Sequence, residues 1–391
     1  MTIVSLEKKY ILQTYKRQDV VFVRGKDKYL WDINRKKYLD FFTGISVCNM
    51  GHGHNKITAA IKKQCEKLVH VSNHYYTGPQ SKLAELIINK SFKKGKVFLS
   101  NSGAEANECA IKLARRHGNP EGKYEIISFN NSFHGRTMAT LSATGQKKFH
   151  QYFNPFLSGF KFAKLNNISS VKKLINKRTC AVLIEPIQGE GGVCAANRKF
   201  LQELRALCNK NKLLLIFDEI QCGLGRTGRL FAYQYYGVEP DVMTLAKSIA
   251  NGLPLGITVV KDKYSDVLAF GGHGSTFGGN LVSCAAAIET LNLISGKKVL
   301  DNVVKTGDYF YKKLTGLKNK YPGIIKEARG AGLMLGIELV ADSGAGIVEK
   351  CLKKGLIINC TQSKILRFLP PFTITKKDVD SAIRILSECL R

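Results

Sequence analysis

The sequence is short of acidic residues, of tryptophan, of long apolar runs and of paired cysteines, and each shortage excludes something. Asp and Glu number 30 against 60 Lys and Arg, a formal charge of +30 over 391 residues, and Trp occurs once. The longest apolar runs, such as LLLIF at 213–217, fall far short of the roughly 20 residues that cross a bilayer. The first residues, MTIVSLEKKYILQTYKRQD, have no apolar stretch of the kind that marks a secretory leader. Eleven cysteines are present, yet no two stand as CxxC, which removes the zinc-ribbon and thioredoxin readings. His70 and His74 are four apart but lack the glutamate of HExxH, and no GxxxxGK[ST] occurs. No metal site is expected. Repeats, low-complexity tracts and Pro/Ser linkers are absent too. What remains is a cytoplasmic protein, with cysteines such as Cys65, Cys109 and Cys208 expected reduced, in or near the core.

The positive excess suits a binder of nucleic acid or of an anionic membrane surface. Its distribution does not. The longest consecutive basic run is Arg35-Lys36-Lys37, and there is no basic tail. The charge therefore reads as a lysine-rich surface that draws in anionic small molecules, with neither nucleic acid nor membrane as partner. The competing reading from another class is a basic nucleic-acid-binding protein on an inactive enzyme fold. Salt-dependent retention on nucleic acid without a cofactor would mark it.

With 44% apolar residues the chain can build a sizeable core, and its length suits two or three domains or one two-lobed enzyme. Leu83, Leu86 and Ile87 predict a helix over 79–90. Residues 96–99 read as a strand, followed by a helix opening at Ser102 and running toward Arg116. The runs 125–129, 180–184 and 213–217 are apolar without alternation, as in strands covered on both faces of a parallel sheet. Residues 200–210 read as a crossover helix. Past about 290 the expectation is a helix over 297–318, a strand at 333–339, a helix ending at Gly355 and a strand at 356–359. Strands are also expected at 20–23 and 38–42. The reading is α/β: a large domain with a mostly parallel central sheet, and a smaller α+β domain built from the two chain ends. Its limits are 1–48 for an N-terminal segment packing with the small domain, 49–290 for the large domain and 291–391 for the small C-terminal one.

Five features are candidates for chemistry. Asp218 follows the run 213–217 at the carboxyl end of a buried strand, where open α/β sheets bind ligands. A helix cap or loop carboxylate is the plain alternative. Ser102-Gly103-Ala104-Glu105 forms an S-x-x-E capping pattern whose small residues leave backbone N–H groups open to an anion, although it also describes any capped helix. Lys247, among Leu245, Ala246 and a glycine-rich turn, would become a usable amine if burial lowered its pKa; otherwise it snorkels. Phe133, His134 and Arg136 offer a ring cover, an imidazole and a carboxylate fork, or an ordinary loop. The GLGRTG stretch at 223–228 matches GxGxxG, but Asp218 to Cys222 separate it from the strand, so it reads as a flexible loop rather than a dinucleotide site. Together the first four make the inventory for pyridoxal phosphate.

On these residues the chain resembles the class III aminotransferases of fold type I. The segments are LSNSGAEANECAIKLAR, SFHGRTMATLSATGQKK, LIEPIQGEGGV, LLIFDEIQCGLGRTGRLFAYQ, LAKSIANGLPLG, HGSTFGGN and LRFLPPFTIT, in order from about residue 29 to 375. The resemblance implies pyridoxal 5'-phosphate bound as a Schiff base to Lys247, which would also shuttle protons. Asp218 would pair with the pyridinium nitrogen, and Gln221 would approach the ring hydroxyl. Gly103 and Ala104 would bind the phosphate through N–H groups, and Phe133 would stack on the ring. Thr276 would reach a phosphate in the neighbouring subunit of a homodimer. Arg136 and Ser275 would hold the amine donor, Arg367 the carboxylate of 2-oxoglutarate, and Glu190 would pair with Arg367 while the donor is bound. The segment 41–48 lacks the tyrosine expected of an ornithine-specific enzyme. The Thr43-Gly44 pair and His74-Tyr75-Tyr76-Thr77 resemble the acetylornithine group instead. The implied donor is N-acetylornithine, with ornithine, succinylated relatives and 4-aminobutyrate as alternatives.

Overall fold

A computed structural model describes residues 2–391. In chain order the strands are β1 (Phe22–Lys26), β2 (Tyr29–Asp32), β3 (Lys37–Asp40), β4 (Gly95–Ser100), β5 (Glu125–Phe129) and β6 (Phe160–Ala163). Next come β7 (Thr179–Ile184), β8 (Ile187–Gln188), β9 (Cys194–Ala195), β10 (Leu214–Asp218), β11 (Val242–Leu245) and β12 (Gly256–Lys261). The last are β13 (Ile325–Ala331), β14 (Met334–Leu339), β15 (Leu356–Ile357), β16 (Asn359–Thr361) and β17 (Ile365–Phe368).

The central sheet has seven strands in the order β4-β12-β11-β10-β7-β5-β6. Only β12 runs against its neighbours. Strands β5, β7, β10 and β11 are buried at every residue. That explains their unbroken apolar runs: with helices on both faces no side of the strand meets water. The helix Arg198–Lys210 buries Phe200, Leu201, Leu204 and Cys208, one stripe of a 3.6-residue period, between β7 and β10 in sequence. Helix Gly103–Gly118 packs on β12 and β11.

Beyond the helix Leu281–Ile294 the long helix Lys297–Lys320 leads to an antiparallel sheet, β13-β14-β17-β16. The N-terminal strands form a second small sheet that takes in β15 as its last member, with Leu39 facing Leu356 and Asp40 facing Ile357. Several expected boundaries move. The strand expected at 356–359 is broken at Ile358, because Leu356 and Ile357 pair with β3 whereas Asn359 to Thr361 pair with β17. The strand expected at 20–23 starts at Phe22 and continues to Lys26, set by pairing with β2. Cys109 and Cys208 are buried, but Cys65 is exposed on the outer face of helix Asn55–Lys67. All eleven cysteines are unpaired thiols. Among the described residues no helix is long and apolar enough to cross a membrane.

The stretch 223–228 departs most from expectation. It is no flexible loop: Gly223, Leu224, Gly225, Arg226 and Thr227 are buried, and Arg226 has no exposed surface at all. A positive φ of 90° at Gly225 and the closeness of Ile294 and Phe372, which a Cβ would meet at 2.7 and 2.9 Å, account for its glycine.

Candidate active site

The carboxyl ends of β4, β5, β7, β10 and β11 converge on one cavity of about 420 Å³. Its wall includes Val47, Gly103, Ala104, Phe133, Arg136, Glu185, Asp218, Gln221 and Lys247. Each of those strands ends in the main sheet and hands its next few residues to this cavity, as the strand direction requires.

Asp218, the last residue of β10, is 3% exposed. Its Oδ2 accepts from Asn107 Nδ2 at 2.7 Å and from His134 Nδ1 at 2.7 Å, and its Oδ1 accepts the Ile220 N–H at 3.1 Å. Three donors fix the carboxylate's plane. The donors are themselves fixed: Asn107 Oδ1 accepts from Thr244 Oγ1 at 2.8 Å, and His134 Nε2 meets Ser128 Oγ at 3.2 Å. The sequence offered His134 only as an imidazole, with no partner, and gave Asn107 no role. A signal existed, since Asn in a helix interior is unfavourable unless its side chain is wanted.

Lys247 opens a short helical turn after β11 in a left-handed conformation, φ 49°. Burial pulls its pKa below the ordinary lysine value, against the opposing charges of Glu190 and Asp218. The amine is thereby easier to keep neutral, which a nucleophile needs.

Helix Gly103–Gly118 points its N-terminus at the cavity. Ser102 Oγ accepts the Glu105 N–H at 3.2 Å and Ser102 O the Ala106 N–H at 3.0 Å. First-turn N–H groups have no partner inside the helix, so those of Gly103 and Ala104 are left for an anion. The capping box is altered: Glu105 Oε2 takes the N–H of Asn101 at 2.6 Å, not that of Ser102. A Cβ on Gly103 would meet Ile220 Cδ1 at 2.8 Å, which keeps this approach to bare backbone.

Phe133 lines the cavity, its N–H held by Glu185 Oε1 at 2.8 Å. Glu185 Oε2 accepts the Gly189 N–H at 3.2 Å. Burial pushes the Glu185 carboxyl above its usual range, against the pull of His134. The exposed guanidinium of Arg136 lies 5.5 Å from the Phe133 ring centre and 4.1 Å from that of Phe149.

Arg367, on β17 of the antiparallel sheet, meets Gln221 of the cavity wall, although neither it nor Glu190 lines the cavity itself. Its Nη1 donates to Glu190 Oε1 at 2.7 Å and Gln221 Oε1 at 2.9 Å, and its Nε to Asn359 Oδ1 at 3.0 Å. Arg367 is fully buried, yet Nη2 has no acceptor. Burial would raise the Glu190 pKa, but Arg367 outweighs it and holds the carboxyl below its usual value.

Two further expected residues stand apart from the cavity lining. Ser275 Oγ accepts from Asn101 Nδ2 at 3.1 Å and from the Gly278 N–H at 3.0 Å, just behind the cavity wall. Thr276 is exposed and does not line the cavity of its own chain.

The residues fit pyridoxal phosphate. A helix N-terminus can take a dianion, a locked carboxylate can face a ring nitrogen, and a buried lysine can bond an aldehyde. The buried, unpartnered Arg367 Nη2 fits a carboxylate on whatever enters beside it.

The family model Aminotransferase class-III matches residues 11–390. The acetylornithine aminotransferase of Methanocaldococcus jannaschii is 49% identical over 390 residues, covering 98% of this chain and 97% of that protein. Among solved structures, an ornithine aminotransferase of Toxoplasma gondii superposes with a TM-score of 0.94 at 33% identity, over 99% of this chain and 94% of its own. An N-acetylornithine aminotransferase of Stenotrophomonas maltophilia superposes at 0.85 with 32% identity, over 99% of this chain and 98% of its own.

Proposed function

The chain belongs to the class-III aminotransferases, and from that premise we propose that it moves the terminal amine of N2-acetyl-L-ornithine to 2-oxoglutarate. The products are N-acetyl-L-glutamate 5-semialdehyde and L-glutamate, an exchange suited to arginine biosynthesis. The observation that carries the reaction class is the meeting of Lys247, Asp218 and the N–H groups of Gly103 and Ala104 in one cavity. The donor rests on the relative at 49% identity and on Val47: it is the residue of segment 41–48 in the cavity wall, and it offers no hydroxyl to a free α-amino group.

Pyridoxal phosphate, the cofactor of this family, supplies an aldehyde that takes up the amine and a ring that withdraws electrons. The chain's own residues do the rest. Gly103 and Ala104 would bind its phosphate, Phe133 would cover the ring, Gln221 would meet the ring hydroxyl and Asp218 would hold the nitrogen's proton. Lys247 would hold the cofactor, then take a proton at Nζ from the donor carbon, which its lowered pKa permits. Glu190 neutralises Arg367 during the amine half-reaction and yields it to the 2-oxoglutarate carboxylate in the second. Arg136 and Ser275 would hold the acetylated end of the donor. The two half-reactions share one site, so kinetics are ping-pong.

The active unit is proposed as a cytoplasmic homodimer, with Thr276 of the partner subunit on the phosphate. Support comes from the exposed aromatics Phe270, Phe277, Tyr75 and Tyr76, an apolar cover that a lone subunit leaves in water. The eleven free thiols suit a reducing compartment. The division at 48 and 290 is likewise proposed, supported by β15 pairing with the N-terminal sheet.

The test mixes the loaded enzyme separately with N-acetylornithine, ornithine, 4-aminobutyrate and N-succinyl-diaminopimelate, without keto acid, and follows cofactor absorbance. The fastest change is expected with N-acetylornithine. A preference for ornithine would overturn the donor and leave the reaction class standing.

A further inference from the structure

Arg226, in the buried GLGRTG stretch, takes no part in the chemistry above. It is fully buried, and among the described residues no carboxylate pairs with it. Its Nε donates to Ser46 Oγ at 3.0 Å, its Nη1 to Leu333 O at 3.0 Å and Pro370 O at 2.6 Å, and its Nη2 to Asn49 Oδ1. The guanidinium plane lies 4.7 Å from the Phe372 ring centre. Burial without a counter-charge lowers its pKa to about 9. A charge so placed is costly to desolvate, and a neutral apolar side chain would be the cheaper filler.

The acceptors come from three distant parts of the chain: the turn at Ser46 and Asn49, Leu333 just before β14, and Pro370 beyond β17. Ser46 and Asn49 bracket Val47 of the cavity wall. Ser46 closes a turn with four successive positive φ values: 50° at Thr43, 63° at Gly44, 66° at Ile45 and 62° at Ser46. Three of those residues carry a Cβ, so the surroundings must hold the turn in place. Pro370 lies three residues beyond Arg367. The strand end there is sewn to the same turn, with Thr43 Oγ1 donating to Leu369 O at 2.8 Å and the Leu369 N–H to Phe41 O at 2.7 Å. Arg226 itself is five residues past Gln221, which shares Arg367 Nη1.

We propose that Arg226 is a positioning residue for the second substrate: its one guanidinium registers the left-handed turn under Val47 and the strand end that aims Arg367 against the Asp218–Gln221 loop. It thereby sets affinity for the dicarboxylate without touching it. The inference rests on the reading of Arg367 as the 2-oxoglutarate carboxylate site. Lysine cannot replace it, because a single ammonium cannot span four acceptors in a plane.

The experiment compares wild type and Arg226→Lys, each as loaded enzyme. Calorimetry gives the affinity for glutarate, a dicarboxylate that cannot accept an amine, and steady-state kinetics give KM for 2-oxoglutarate and kcat. Glutarate binding and KM are expected to worsen at least tenfold, with kcat at saturation falling less than threefold and cofactor absorbance unchanged. Unchanged affinity, or kcat falling in step with it, overturns the proposal. If Arg226→Lys does not fold, Asn49→Ala keeps the arginine and removes one acceptor; about threefold weaker glutarate binding is expected, and none overturns it. Wild type that fails to bind glutarate, or binds it equally with Arg367→Ala, would instead sink the reading of Arg367.

Discussion

At one end of the cavity Asp218 is buried and held by three N–H donors whose own partners are fixed. Just outside the cavity wall at the other, hydrogen-bonded to Gln221, Arg367 is just as buried but keeps one nitrogen unpartnered, and its counter-ion Glu190 sits where water reaches it. The first end is overdetermined, as suits a group that must hold one charge in one place through the whole cycle. The second is a fork with one free tooth, which would suit the proposed site serving two substrates in turn. Rigidity follows what stays bound, and an open valence follows what leaves.

The largest effect should come from removing the amine at the rigid end. Lys247→Ala is expected to lower kcat by about ten-thousandfold or more, read from glutamate formation. Asp218→Asn should cost about a thousandfold with the protein still folded by circular dichroism. If Asn107→Leu costs as much as Asp218→Asn, the locking donors matter as much as the charge; about ten- to a hundredfold is expected.

The exchangeable end should respond unevenly. Glu190→Gln is expected to slow the amine half-reaction about tenfold, because Arg367 then keeps an uncompensated charge, while the 2-oxoglutarate half-reaction stays within about threefold. Equal losses would erase the contrast between the two ends. The sign for acid follows from the lowered Glu190 pKa. The ion pair stabilises the fold above the ordinary carboxylate value and is lost as pH falls through the lower folded one.

The smallest effect lies outside the cavity. Burial would lower the His52 pKa, but Asp40 at 2.8 Å and Cys48 outweigh it and raise it to about 10. Its contribution is full below the unfolded value near 6.5 and is lost as pH rises through 10. His52→Asn should destabilise by on the order of 1 kcal/mol at pH 6 and by nearly nothing above pH 10.5, measured as thermal midpoints.

Strands β5, β7 and β10 were legible because a strand covered on both faces must be apolar throughout. Lys247 and Asp218 were legible because a charged residue at the end of such a run is out of keeping with its neighbours. The antiparallel β12 was not, since an apolar run carries no sign of strand direction. The split of 356–361 between two sheets was equally hidden, because pairing partners hundreds of residues away decide it.

Arg226 shows the limit most clearly. Within GLGRTG an arginine among glycines reads as solvent-facing loop, and nothing local contradicts that. By itself the sequence determined the layered α/β plan, the family's cofactor and the charged groups proposed to serve it, because apolar period and residue type are local properties. Only the tertiary structure decided which polar groups are buried together, that Asn107 and His134 share Asp218, and that Arg226 lies at the centre of three segments. Hydrogen-bond partners across more than a hundred residues depend on how the chain closes, which no local pattern encodes.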